Sequence, residues 1–260
     1  MISRAVIMAG GMGRRLYPYT AVLPKPLVPI GDRPILELLI LQLREAGITH
    51  VTLATGHMAE LVMAFFGSGK KYGIDIDYSL EHKPLGTVGP LGIIDGLDET
   101  FLVMNGDVLT DIDFVKLVEH HKRENAVVTV ATHRKAVKLS LGVIESDLMG
   151  HVIGFKEKPE FAVDVSMGIY VYEPEIVSRI PAGEPLGFDD LILHLIREGT
   201  TAATYPFDGV WYDIGIPEDY GKAIEYYEEN RSRFDLEIPF SEDRDARVTS
   251  LRPDLKIVAG

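Results

Sequence analysis

Ala5-Val6-Ile7-Met8-Ala9-Gly10-Gly11-Met12-Gly13-Arg14-Arg15-Leu16-Tyr17-Pro18-Tyr19-Thr20, followed closely by Leu23-Pro24-Lys25-Pro26-Leu27-Val28-Pro29, is the stretch on which the fold turns. An apolar run that stops at glycines reads as a buried strand feeding a loop. Lacking Cβ atoms, the glycines let backbone N–H groups approach phosphate oxygens and give access to positive φ. Arg14, Arg15 and Lys25 add the positive charge that a polyphosphate requires. Pro24, Pro26 and Pro29 fix backbone angles around Lys25, so its ammonium is carried by a stiff segment suited to positioning for chemistry.

Two familiar glycine motifs fit poorly. A dinucleotide fingerprint needs a further glycine at position 16, which is Leu16. A Walker loop needs Gly-Lys followed by Ser or Thr; Gly67-Ser68-Gly69-Lys70-Lys71 ends wrongly and lacks the upstream glycine.

Outward from this loop, apolar runs alternate with helical patterns, the mark of a parallel sheet covered by helices. Strands are expected at 4–9, 50–54, 74–78 and 101–104, and helices at 34–46, 58–66 and, briefly, 88–96. The second half is more mixed. It reads as a helix near 113–123, a strand at 126–131, a hairpin from Gly142 to Phe155, and a strand at 165–172. A helix from Phe188 to about Arg197 follows, with Asp189 or its neighbour as cap, then strands at 201–205 and 210–213 and a helix from Glu218 to about Arg231. The fold class is α/β, a Rossmann-like mixed, mostly parallel sheet flanked by helices. One domain is expected over 1–235, with 236–260 as a tail or docking arm.

The 260 residues, 46% hydrophobic and 25% charged, suffice for one large α/β core. A formal charge of −13 without a basic stripe argues against nucleic acid as partner, so anionic substrates must be met by local cations and a metal. With no cysteine, thiolate nucleophiles and disulfides are excluded. No run approaches a membrane span and the N-terminus lacks a signal-peptide core, so a cytoplasmic location is expected.

Ligands of open α/β sheets collect beyond the carboxyl ends of strands, where both the glycine loop and Asn105-Gly106-Asp107 would lie. Trp211-Tyr212-Asp213-Ile214-Gly215 places a second acid at a strand end. An Asp after a strand is often a turn or cap residue. Magnesium nevertheless suits such a pair, since it takes one or two carboxylates and fills its other positions with water and phosphate oxygens. His120-His121 and the remaining histidines match no zinc spacing and read as solvated; the tyrosines of the last helix read as core or subunit interface.

Taken together, these motifs resemble the signature of the sugar-nucleotide pyrophosphorylases, the sugar-1-phosphate nucleotidyltransferases, over about residues 3–230. The resemblance implies transfer of a nucleoside monophosphate from a nucleoside triphosphate to a sugar 1-phosphate, with pyrophosphate released. It implies nucleotide contacts at Ala9, Gly10, Gly11, Gly13, Arg14, Arg15 and Lys25, and Mg2+ on Asp107 and Asp213. Arg14 replaces the threonine common before the motif arginine. Glu157 and Lys158 of Gly154-Phe155-Lys156-Glu157-Lys158-Pro159, with Gly142, fall at the family's sugar-phosphate site; Ser166-Met167-Gly168 replaces a common Asn-Ala-Gly and puts Ser166 there. The catalytic set is then Arg15, Lys25, Asp107 and Lys158.

Glu81-His82-Lys83-Pro84-Leu85-Gly86-Thr87-Val88-Gly89-Pro90-Leu91 resembles the base-reading loop, with Gly86 and Thr87 at the base. The form Leu-Gly-Thr-x-Gly-Pro-Leu is most like the mannose-1-phosphate guanylyltransferase branch and its heptose-phosphate relatives, which favours GTP. Thymidylyl and uridylyl enzymes commonly carry a glutamine where this chain has Glu81-His82. A homo-oligomer is a further expectation of the resemblance. Residues 236–260 are too short and irregular for the left-handed β-helix of larger relatives. Rival readings are a uridylyl-, thymidylyl- or cytidylyltransferase on another sugar phosphate or a phosphocholine-like substrate, and a catalytically silent sugar-nucleotide sensor.

Overall fold

A computed structural model describes residues 2–239. Its centre is a seven-stranded sheet, with strands β1 (Arg4–Met8), β2 (His50–Thr55), β3 (Asp75–Leu80), β4 (Phe101–Asn105), β5 (Val128–Lys138), β6 (Glu160–Tyr172) and β7 (Ala202–Phe207). In space the order is β7-β5-β6-β4-β1-β2-β3. Only β6 runs against its neighbours, pairing antiparallel with both β4 and β5. Strand β1 pairs in parallel with β2 and β4, and its Ala5, Val6 and Ile7 are fully buried. That burial on both faces is why the run is continuously apolar instead of alternating.

Helices α1 (Ile35–Glu45), α2 (Ala59–Phe66) and α3 (Phe114–Glu124) belong to the larger side of the core, where Leu36, Leu39, Leu53, Leu102 and Ile169 meet. Helix α4 (Phe188–Glu198) serves the other side, against Val6, Val103, Tyr170 and Tyr172. A third cluster beneath the glycine loop joins Leu16 and Val28 to Tyr220 and Tyr227 of helix α5 (Pro217–Glu229), as expected for tyrosines in the core. No helix among the described residues is long and apolar enough to cross a membrane.

The elements expected from sequence are present, with three physical corrections. Residues 88–96 form only a 3-10 turn over Gly89–Ile93, because Gly89 and Gly92 add backbone entropy that a longer helix would have to overcome. Helix α4 is capped at Gly187 with no side-chain bond, so Asp189 lies in its first turn and is not the cap. Strands β5 and β6 are also much longer than expected, since their ends leave the sheet as a two-stranded ribbon. On one side of that ribbon Val137 pairs with Phe161; on the other Arg134 meets Asp164 at 4.0 Å and Lys138 meets Glu160 at 3.4 Å. Beyond the ribbon, Val143–Ser146 and Val152–Lys156 make the expected hairpin.

His121 corrects another expectation. It is 1% exposed, because it continues the buried stripe Phe114, Leu117, Val118 at helical spacing. Its Nδ1 lies 2.8 Å from Thr129 Oγ1 and its Nε2 3.0 Å from Glu173 Oε1, while Thr100 Oγ1 donates to the same carboxylate at 3.0 Å. Burial holds the imidazole below its ordinary value of 6.5, outweighing the opposing pull of Glu173. The unfolded chain therefore takes up this proton first, so stability is complete above the ordinary value and is lost as pH falls below it. Thermal melts should show a lower Tm at about pH 5.5 than at about pH 7.5, and His121→Gln should flatten that dependence. An unchanged slope in the variant would place the effect elsewhere.

The described start of the stretch expected as a tail or docking arm, residues 236–239, lies against the core. Leu236 and Ile238 pack against the larger core, and Arg33 Nη1 and Arg44 Nη1 donate to the carbonyls of Leu236 and Glu237 at 2.7 and 2.9 Å. Residues 240–260 lie outside the described residues.

Candidate active site

Beyond the carboxyl ends of β1, β2 and β4 lies a cleft of about 510 Å3. Its floor comes from the turn after β1, where Ala9 N donates to Ala54 O at 2.7 Å and leaves Gly10 and Gly11 facing the opening. Gly13 takes φ +61, and its carbonyl accepts from Thr20 Oγ1 at 2.9 Å. A Cβ on Gly13 would lie 2.7 Å from Thr20 Cγ2 and 3.2 Å from Lys25 Cβ, so the glycine lets the loop fold onto Lys25. Pro24 is extended and a short 3-10 turn begins at Lys25, with Leu27 N bonded to Pro24 O at 2.9 Å. This is the stiff mount that the prolines imply.

Two strand ends bring the carboxylates to the same place. Gly106 N donates to Met8 O at 2.9 Å, which fastens the turn after β4 to the end of β1. The short strand Trp211–Asp213 pairs with Val108–Thr110, and Ile214 N donates to Asp107 O at 3.0 Å. Asp107 and Asp213 thus both line the cleft with Arg15 and Lys25. Lys25 Nζ is ion-paired with Asp107 Oδ2. Burial pushes the Lys25 ammonium below the ordinary lysine value; Asp213 opposes this and Arg15 adds to it. Asp213 Oδ1 accepts from Gly215 N at 2.8 Å.

Across from the glycine loop stands the segment after β3. Glu81 Oε2 accepts from Leu85 N at 3.0 Å, and Glu81 Oε1 lies where a Cβ on Gly10 would come within 2.6 Å. Burial raises the Glu81 pKa, and the Leu85 N–H restrains the rise. Gly86 takes φ +80, and Gly86 and Thr87 line the cleft. The segment is laced to the start of α4: Val88 N and Gly89 N donate to Leu186 O at 3.1 and 3.2 Å, Leu186 N to Leu85 O at 2.9 Å, and Phe188 N to Thr87 Oγ1 at 2.9 Å.

Gly142, Glu157, Lys158 and Ser166 do not line this cleft. Gly142 and Glu157 are brought together on the hairpin, where a Cβ on Gly142 would lie 2.6 Å from the Phe155 ring and 3.3 Å from Glu157 Oε2. Lys158 takes φ +43 and its Nζ is 3.9 Å from Glu157 Oε1. Ser166 sits at a register shift in β6, with its Oγ 3.1 Å from Tyr170 OH and accepting from Gly168 N at 3.2 Å. Arg14 is exposed beside the cleft and donates to Met12 Sδ at 3.5 Å. Gly56, His57 and Asn105 also line the cleft. Sequence reading assigned them no part, although the strand-end rule that located Asp107 applies equally to the end of β2.

Among the described residues no group of three or more His, Asp or Glu side chains forms a metal cluster. Two hard carboxylates beside an open phosphate-sized cleft fit magnesium, which completes its shell with water and phosphate, and do not fit zinc.

A family model described as Nucleotidyl transferase matches residues 4–230. A UTP–glucose-1-phosphate uridylyltransferase of Synechocystis sp. is 34% identical over 241 residues, covering 85% of this chain and 62% of the relative. A mannose-1-phosphate guanylyltransferase of Mycobacterium tuberculosis is 33% identical over 222 residues, covering 83% and 62%. The chain thus spans a little over three-fifths of the length of these relatives. The crystal structure of HddC from Yersinia pseudotuberculosis complexed with GMP-PN superposes with a TM-score of 0.66 at 25% identity, over 87% of this chain and all of that one.

Proposed function

Because this chain belongs to the nucleotidyl transferase family, we propose that its cleft joins a nucleoside triphosphate to a sugar 1-phosphate, most specifically GTP to mannose 1-phosphate or a heptose 1-phosphate. The observation that carries the reading is the convergence of the glycine loop, Arg15, Lys25, Asp107 and Asp213 on one cleft. A phosphate oxygen of the sugar 1-phosphate attacks the α-phosphorus; the new P–O bond forms as the bond to the β-phosphate oxygen breaks, and pyrophosphate leaves in line. No covalent enzyme intermediate is required. Arg15 and Lys25 neutralise the triphosphate and the departing pyrophosphate. Lys158, Glu157 and Gly142, at the open end of the hairpin, receive the sugar phosphate. Magnesium on Asp107 and Asp213 would supply charge neutralisation at the reacting phosphates. Positioning and electrostatics are the main catalytic resources in such transfers.

Glu81 supports guanine among the bases. An ionised carboxylate only accepts hydrogen bonds, and guanine alone offers two adjacent donors, N1–H and N2–H, on one edge. Uracil and thymine present one donor between two carbonyls, which a carboxylate repels. Relatives divide between uridylyl and guanylyl transfer, and this argument supports guanylyl transfer for the present chain.

The test is pyrophosphate release with magnesium across GTP, ATP, CTP, UTP and dTTP, crossed with mannose, glucose, N-acetylglucosamine and heptose 1-phosphates and phosphocholine. Release requiring GTP with mannose or heptose 1-phosphate is the expected result. Another productive pair keeps the chemistry and overturns the substrate assignment, whereas ligand binding with no release anywhere favours a silent sensor.

The base loop yields a second test. A Cβ on Gly86 would lie 2.6 Å from Leu186 O, at a φ that L residues adopt only at a cost. Gly86→Ala should weaken binding of a GTP analogue about tenfold by calorimetry, through displacement of the loop. Unchanged affinity would detach this loop from nucleotide recognition.

A further inference from the structure

Within the cleft the Lys25 ammonium is already engaged: it is paired with Asp107 and feels the charge of Asp213. We propose that its ammonium is a built-in counter-ion for these two carboxylates, one that must swing away before they can hold a divalent cation, so that the metal enters with the triphosphate and not ahead of it. The proposal rests on the nucleotide reading above and adds an order of events to it.

Three features carry it. First, the pair is secluded: the side chains of Lys25 and Asp107 are 17% and 13% exposed, so water does little to screen them. Second, the fold keeps room for the ammonium beside the other carboxylate. A Cβ on Gly215 would overlap Lys25 Nζ and come within 2.9 Å of Asp213 Oδ1, so glycine there leaves room for the ammonium in this position. Third, Lys25 is mounted on rigid backbone between Pro24 and Pro26 and lines the open cleft, so exchange needs only a movement of the end of its side chain.

The charge balance gives the direction. Two carboxylates and one ammonium leave a single excess negative charge, with the Arg15 guanidinium close enough to act on Lys25. A divalent cation added to that set would face an ammonium in its seat and a second cation nearby. An incoming triphosphate reverses this by offering the ammonium anionic oxygens of its own, which frees Asp107 and adds phosphate ligands for the metal.

The experiment is a titration of the full chain with Mn2+, followed by electron paramagnetic resonance of the free ion, with circular dichroism to verify folding. Without nucleotide, Lys25→Met should bind Mn2+ at least about tenfold more tightly than wild type, since a charge adjacent to the seat has been removed. Lys25→Arg keeps the charge and should remain weak. Adding Asp107→Asn to Lys25→Met should abolish the gain. With a non-hydrolysable GTP analogue, wild type should take up Mn2+ beyond the amount the analogue binds alone. Equal Mn2+ affinity of nucleotide-free wild type and Lys25→Met overturns the counter-ion. If Lys25→Met gains affinity but the analogue brings no Mn2+ to wild type, the nucleotide reading fails and the counter-ion itself stands.

Discussion

Asp107→Asn is expected to lower the single-turnover rate of pyrophosphate release by roughly a thousandfold or more, with the fold intact. Removal of one preorganised electrostatic group in a secluded site commonly costs about 10²–10³ in turnover. Asp107 carries two such roles, as partner of Lys25 and as proposed metal ligand, so its loss disturbs both. Its backbone bond to Ile214 and the adjacent anchor of Gly106 to Met8 do not involve the carboxylate, which is why the fold should hold even though the secluded Lys25 loses its partner and the melting temperature falls. Rapid-quench measurement with radiolabelled triphosphate, alongside a thermal melt, checks both halves. A rate within tenfold of wild type would remove Asp107 from the chemistry.

Glu81→Gln is expected to reduce kcat/KM for GTP by about a hundredfold or more, two charge-assisted hydrogen bonds being at stake. An amide keeps one acceptor and turns a donor toward the other guanine donor. The same amide can pair with a carbonyl and an N–H of uracil, so the ratio of kcat/KM values for UTP over GTP should rise. The Leu85 N–H can still bond the amide oxygen, so the loop keeps its anchor. Parallel kcat/KM measurements with both triphosphates decide the matter, and an unchanged ratio would show that base choice lies outside Glu81.

What sequence revealed and what it hid follow from range. The run Ala5–Ile7 is fully buried and Gly13 is required by close approaches to Thr20 and Lys25 of the same loop, so a short window carried that information, whereas the contact of Gly10 with Glu81 is long-range. Asp107 and Asp213 were legible because each ends an apolar strand. Their junction with Lys25, 82 residues from Asp107, was not, since it depends on the Trp211–Asp213 and Val108–Thr110 strands pairing. The lacing of Leu85–Gly89 to Leu186–Phe188 is hidden for the same reason: its bonds are mostly backbone to backbone and impose little residue choice. The ribbon of β5 and β6 escaped detection because Thr132–Lys138 is charged and has no core to alternate against. His121 escaped because a polar residue in an apolar helical stripe looks solvated until its partners on another strand are known.

The reversed strand β6 has a consequence for how such a protein diversifies. Its core half pairs with β4, which leads to Asp107, while its outer half belongs to the ribbon beneath the hairpin bearing Glu157 and Lys158. The register shift at Ser166 marks the division. Residues assigned here to the nucleotide line the cleft beyond the strand ends, and Gly142, Glu157 and Lys158 come from an arm, the ribbon and its hairpin, outside that cleft. Selection can therefore rework the arm for a new acceptor without disturbing the reaction centre, and one scaffold can serve many pairings of donor and acceptor.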